Sequence, residues 1–396
     1  MIVWCFSAVC AWREANTNYS RPLERRLALV SACVAGLVLS LWLINHADGF
    51  RAWQQGRNDF LGFYAGARLV GSPNLYDRDA VQAIQLQAVG GVGEIQFGRL
   101  PCYALFLKPL TWLPYRTANA VWFVLLAAAF AGFVALWPHA TVSHRWLIGC
   151  WSLPAVVSFF NGQDDVVLLL WVALAARLQR AEKPAVAGMI LALCASKFNL
   201  FALVPLVLLG QRRWRMLWGM AFGVCILLAL SFAAAGASWP TRYMAVLAHP
   251  GMNSSLDHMP NLHSLFGTAL GLPLQFAADM VMAVGLFLAA RSTSDFEGPV
   301  ALALVAGLLV GFHAYLADGA LLLPALFAFS AEGYARFPAR ALIMPVPWIL
   351  LQCPRPLPAV TQLLILALAG AGFCWIWRCH EGNGRHCQSN PGTLML

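Results

Sequence analysis

Apolar runs of about twenty residues recur from Leu27 to Trp377. That is the length a helix needs to cross a hydrocarbon core roughly 30 Å thick. The first run is Leu27 to about Asn45, and a long mixed loop, 46–117, follows it. Further runs lie at about 118–137, 146–160, 164–178, 184–195, 198–210, 216–236, 275–290, 298–312, 318–330, 341–352 and 359–377. The pattern predicts an all-α polytopic integral membrane protein with about 10–12 transmembrane segments, some of them short. The runs 184–195, 198–210, 318–330 and 341–352 have only 12 or 13 residues. Helices this short pair into hairpins that reach part way, provided protein or a water-filled cavity covers their turns. They point to a cavity opening on one face. One domain, 27–377, is expected between an N-terminal segment, 1–26, and a C-terminal tail, 378–396.

The long loop has its own pattern. Asn58 is placed to cap a helix from Asp59 to Val70, in which Phe60, Phe63, Tyr64 and Ala67 form one stripe. Asp77 is placed to cap a second helix, Arg78–Val89, closed by Gly90-Gly91. Both read as helices lying on the membrane surface, with Phe60, Phe63 and Tyr64 seating the first on the bilayer. "LPCYALFLKPLTWLPY" (100–115) is apolar but broken by three prolines, and is expected to dip into the interface.

Composition narrows the class. Hydrophobic residues make up 60% and charged residues 11% of the 396 positions, where a soluble domain carries about 25% charged residues. The net charge of +9 does not mark a nucleic-acid surface. Its Lys and Arg cluster in the short loops on one side of the alternating runs, which predicts both termini in the cytoplasm and the 46–117 loop outside. Most of the 11 cysteines lie inside apolar runs, where they behave as small hydrophobes. Cys379-His380 and His386-Cys387 match no zinc spacing, and no metal is expected. Met1–Trp12 is apolar but precedes Arg13, the reverse of a secretory signal, and is assigned no function. There is no Walker sequence and no nucleotide-binding glycine pattern, so no cofactor is expected.

Several polar residues sit where apolar runs meet loops. Asp59 reads on its residues alone somewhat more readily as a helix cap than as a general base. Lys197 interrupts two apolar pieces, where an ionisable group is either functional or snorkels from a turn. His313 ends a run, with Tyr315 and Asp318 beside it, and capping is the stronger reading for Asp318. Arg57 and Lys108 are further cations for a phosphate. Asn261 either holds substrate hydroxyls or caps the segment 262–270. Asn161 and Gln163 read as caps at the entrance of a span, and Asp77-x-Asp79 as a cap rather than a metal pair.

Five blocks, in order, resemble glycosyltransferase family 87. They are "DFLGFYAGARLVGSPNLYD" (59–77), "PLTWLP" (109–114), "NGQDDVVLLLWVALAARLQRAEKPAVAGMILALCASKFNLFALVPLVLLGQRRWR" (161–215), "NLHSLFG" (261–267) and "HAYLADGALLLPAL" (313–326). The likeness runs over about 27–330. The sequence departs from the family pattern at Pro101-Cys102-Tyr103-Ala104 and at Lys197-Phe198. The resemblance implies a GT-C-type membrane enzyme using a polyprenyl-phosphate-mannose donor, with its general base at Asp59 and His313 facing the donor phosphate. Tyr64 belongs to the same first-loop signature and is expected to contact substrate.

Sugar transfer from a lipid phosphate needs a base for the acceptor and stabilisation of the departing phosphate. A single displacement uses one carboxylate; a double displacement would need a second. The expected reaction is inverting. A hexose, most simply mannose, moves from a polyprenyl-phosphate-sugar onto a lipid-linked or cell-envelope glycan, at a cavity facing the periplasm or exterior of the cell membrane. A transporter or lipid flippase is the alternative. It accounts for the spans and for Lys197, but not for the long outer loop with its acidic start.

Overall fold

In a computed structural model of the chain, the structure describes residues 51, 53–90, 95–249, 256–330 and 336–381. The expected first span, 27–45, the segment 1–26 and the tail beyond 381 lie outside the described residues.

The described residues are helical throughout, with short loops between. Five helices are long and apolar enough to cross a membrane: Tyr115–Leu136, Pro184–Phe201, Trp214–Ala235, Gly271–Arg291 and Pro358–Trp377. A sixth crossing is formed if Leu153–Phe160 and Asp165–Arg180, bent by 115° at the intervening turn, count as one. Glu297–Val310 and Leu316–Phe329 are shorter apolar helices.

Local chemistry sets many of the ends. Thr141 accepts from the His144 N–H at 3.3 Å, and Asn261 from the Ser264 N–H at 2.9 Å. Pro101, Pro184 and Pro345 occupy first-turn positions, where the missing N–H costs nothing. As the sequence predicts, the Asp77 carboxylate accepts from the Ala80 N–H at 2.8 Å, and Gly90 ends that helix with φ +66°.

Packing places Glu297–Val310 at the centre. Its residues 300 to 306 are all buried, as expected of a helix that is apolar on every side. It is flanked by Leu262–Arg291, Pro358–Glu381 and the segment Leu316–Phe329. By contrast, Trp214–Ala235 exposes Trp218, Phe222 and Phe232 on one face, while its other face packs against Pro184–Ala192. That crossing is backbone on backbone. A Cβ at Gly188 would stand 1.9 Å from the Met216 carbonyl oxygen, and one at Gly219 2.0 Å from that of Ala185. Small residues permit this approach between apolar helices.

Three expectations are corrected here. The helix Phe60–Leu69 does not lie on the bilayer. Phe60, Phe63, Tyr64 and Ala67 are all buried in protein, between Pro101–Leu107, Arg78–Val89 and Tyr115–Leu136. Phe60 stacks on Trp122 at 5.3 Å, and Tyr64 meets Tyr115 edge-on at 5.2 Å. The stripe encoded a face to be covered, and long-range aromatic partners cover it. Secondly, the pieces 184–195 and 198–210 do not form a hairpin. A 3₁₀ stretch, Leu193–Lys197, tightens the helix locally, and the chain runs on to Phe201 as one 18-residue crossing. Thirdly, Trp239–Leu247 forms a helix where no element was expected. Thr241 and Arg242 dilute its pattern, and Trp239 and Tyr243 bury its inner face.

Candidate active site

The bend between Leu153–Phe160 and Asp165–Arg180 leaves a tight turn, 161–164, against the start of the Phe60–Leu69 helix. The Asp59 N–H donates to the Asn161 carbonyl at 2.8 Å. Asn58 Oδ1 accepts from the Phe60 N–H at 3.1 Å, and Asn58 Nδ2 donates to Asn119 Oδ1 at 3.1 Å. The side chain of Asp59 makes no capping hydrogen bond. Asn58 therefore serves the backbone, and the Asp59 carboxylate is left for other work. Gly162 has φ +67°, and a Cβ there would meet Asn58 Oδ1 at 3.0 Å. Both conformation and space favour glycine at this turn.

Asp59 lines a cavity of about 430 Å³, together with Arg57, Arg99, Gln163, Lys197, Asn199, His313 and Asp318. The size is in the range of small-ligand sites. Trp53, Val156, Phe160 and Leu200 supply apolar wall. Gln163 Nε2 donates to Asp59 Oδ2. The same Gln163 accepts from Arg99 Nη2 at 3.3 Å, and Arg99 Nη2 bonds Asp164 Oδ1 at 2.8 Å. The Arg99 guanidinium also lies 5.2 Å over the Phe63 ring. Burial pushes the Asp59 carboxyl above its ordinary value; the Gln163 hydrogen bond and the charge of Arg99 oppose that rise.

Lys197 does not snorkel. It is 4% exposed, and its Nζ lies 2.5 Å from Asp165 Oδ1, 2.7 Å from Asp318 Oδ1 and 3.7 Å from Asp164 Oδ1. Ser158 Oγ donates to the second oxygen of Asp165 at 2.8 Å. Asp318 accepts from the Tyr315 N–H at 2.7 Å with its other oxygen, so it is both cap and ion-pair partner. Asn199 Nδ2 donates to the His313 carbonyl at 2.9 Å, and the His313 ring stands edge-on to Tyr315 at 4.9 Å. Of the four carboxylates gathered here, Asp164, Asp165 and Asp318 are ion-paired; Asp59 has no ion pair among the described residues.

The structure thus brings together Asp59, Arg57, Lys197 and His313 from the sequence-predicted set. It does not bring in the other three. Tyr64 is buried in the aromatic cluster, its hydroxyl donating to the Leu113 carbonyl at 3.1 Å. Lys108 Nζ turns to the carbonyls of Arg68 and Val70, each at 3.4 Å. Asn261 is fully buried, capping its helix and donating to the Gly311 carbonyl at 2.7 Å. Gln163, read from sequence as a cap, instead holds Asp59. Arg99, Asp164 and Asp165 were not anticipated. The signal for the pair was two consecutive carboxylates opening an apolar run, a costly arrangement unless cations meet them. Among the described residues no group of three or more His, Cys, Asp or Glu side chains is placed to hold a metal ion.

The model described as glycosyltransferase family 87 matches residues 101–317, more than half of the chain. The match includes Gln163, Lys197 and His313 and begins after Asp59 and Arg99, so it is narrower than the likeness read from the sequence. The chain is also 30% identical over 147 residues to the polyprenol-phosphate-mannose-dependent α-(1-2)-phosphatidylinositol pentamannoside mannosyltransferase of Mycolicibacterium smegmatis. That alignment covers 35% of this chain and 33% of the relative, so the chain matches about a third of the relative's length. No solved structure gives a significant match. An all-helical bundle with several apolar helices of crossing length, matched by the family over most of its central part, identifies the chain as a multi-pass membrane protein that belongs to glycosyltransferase family 87.

Proposed function

We propose that the chain is an inverting hexosyltransferase. It takes a sugar, most simply mannose, from a polyprenyl-phosphate-sugar and places it on a lipid-linked or cell-envelope glycan, at a cavity facing the exterior. The observation that carries the reading is that Asp59, alone of the four carboxylates in the cavity cluster, has no ion pair among the described residues. An inverting transfer needs one base and no carboxylate nucleophile. A buried carboxylate spared a cation keeps enough basicity to take the acceptor proton. Asp164, Asp165 and Asp318 are held by Arg99 and Lys197 and are poor bases.

In the step itself, an acceptor hydroxyl attacks the anomeric carbon as Asp59 takes its proton. The bond from that carbon to the phosphate oxygen breaks, and the lipid phosphate leaves with the electron pair. Inversion turns a β-linked donor into an α product. Lys197 is occupied by its two carboxylates, so it organises the wall. The phosphate charge falls to Arg57, exposed at the cavity and without an ion pair among the described residues, and His313 offers the phosphate a hydrogen bond from its ring. The family and the relative's printed donor support a polyprenyl-phosphate donor.

The test is transfer from radiolabelled polyprenyl-phosphate-mannose by the full-length protein in liposomes containing envelope lipid. Sugar incorporation that Asp59→Asn abolishes is the expected result. Movement of the donor across the bilayer with no transfer would overturn the reading in favour of a transporter.

A further inference from the structure

We infer that Gln163 is the positioning residue for Asp59: an uncharged amide set between Arg99 and the carboxylate, which orients the base without neutralising it. The inference rests on Asp59 being the base.

The geometry is directional. Gln163 donates through Nε2 to Asp59 Oδ2 and accepts through Oε1 from Arg99 Nη2 at 3.3 Å. The arginine therefore fixes which end of the amide faces Asp59, and one oxygen of Asp59 is held while the other, with no hydrogen bond among the described residues, is left for the acceptor. The amide itself is pinned at the backbone, since the Gln163 N–H donates to the Ser158 carbonyl at 2.9 Å. The turn is pinned to Asp59 by the bond from the Asp59 N–H to Asn161, 2.8 Å.

The electrostatic consequence decides why an amide suits this place. A guanidinium bonded directly to Asp59 would stabilise the charged form strongly and leave a weak base. Here Arg99 is matched instead by Asp164 at 2.8 Å. Among the described residues Asp59 receives a neutral hydrogen-bond donor, while the charges of Arg99, Lys197 and Asp318 act on it from further away. Orientation and basicity, which oppose each other in a direct ion pair, are separated.

Two measurements on the full-length protein test this. The first needs no substrate: infrared titration of the protonated carboxyl band of Asp59, assigned by its loss in Asp59→Asn. Gln163→Leu removes the donor, so the midpoint is expected to rise. Gln163→Glu keeps the shape, adds a second carboxylate and is expected to raise it further. A midpoint unchanged in both variants overturns the inference.

The second is kinetic, with polyprenyl-phosphate-mannose as donor and octyl mannoside as acceptor. Gln163→Leu is expected to lower kcat by about 100-fold, the scale of a misplaced catalytic group. Donor KM should stay within about twofold, with the acid limb of kcat/KM moved to higher pH, as expected when the base is harder to deprotonate. A rise in KM with kcat unchanged would make Gln163 a substrate-binding group instead. If Asp59→Asn transfers normally while the infrared midpoint still moves in Gln163→Leu, the base reading fails and the contact stands.

Discussion

Lys197 and Asp318, 121 residues apart in the chain, meet at 2.7 Å between Nζ and Oδ1 in the largely buried wall of the cavity. With Asp165 at 2.5 Å the lysine joins three separate segments. Lys197→Met removes the cation and leaves two buried carboxylates uncompensated. The expected loss is about 3–5 kcal/mol, read as a lowered Tm in detergent. Asp165→Asn in the same chain should recover part of it. A single variant as stable as the parent would show that the cluster contributes nothing to stability.

Asp59→Asn is expected to lower transfer by about 10²–10⁴-fold, the usual worth of a general base. Folding should be preserved, because Asn58 and not Asp59 serves the helix start. Matching elution and melting profiles, alongside lost activity, check the point.

The pH profile follows from the environment of Asp59. Burial raises its pKa, and the Gln163 bond and Arg99 only oppose that rise. A base works deprotonated, so with Asp59 in the proposed role activity is expected to fall as pH drops through this raised value and to level off above it. The acid limb of kcat/KM should lie above ~4, the ordinary aspartate value. A limb at or below that value would contradict a buried base.

Arg57 and Lys108 separate by position. Arg57 lines the cavity, whereas Lys108 bonds the carbonyls of Arg68 and Val70. Arg57→Ala should raise donor KM about tenfold, close to the worth of one hydrogen bond to a charged group. Lys108→Ala should leave it unchanged. Equal effects would place the phosphate elsewhere.

Gly219 tests the bundle away from the site. A Cβ there overlaps the Ala185 carbonyl, and backbone cannot swing aside as a side chain can. Gly219→Ala is expected to cost about 1–3 kcal/mol, with a lower yield of folded protein. Gly370→Ala, where a Cβ meets nothing within 4 Å, is the matched control.

What the sequence disclosed was what depends on neighbours in the chain. The Asn58 cap, the Asp77 cap, the Gly90 stop and most apolar helices follow from spacing of a few residues. The stripe of Phe60, Phe63 and Tyr64 was visible too, but amphipathicity says only that a face is covered; whether by lipid or by Tyr115 and Trp122 depends on the fold. The partners of Asp59 were hidden for the same reason. Gln163 lies 104 residues away, and Arg99 gives no periodic signal inside a polar loop. Lys197 stood out by its cost in an apolar run, yet only the fold shows Asp165 and Asp318 meeting that cost.

The docking of the 161–164 turn on Asn58 and Asp59 sets an order of events during biosynthesis. Asp59 leaves the ribosome long before Gln163, and two apolar segments, 115–136 and 142–160, lie between them. The helix Tyr115–Leu136, long and apolar enough to cross a membrane, must be in place before the turn can reach the loop. A chain arrested there would carry Asp59 with neither its backbone partner nor its orienting amide. Completion of the cavity is thereby tied to correct membrane integration, and on the proposed reading a misinserted chain would lack the partners of its base.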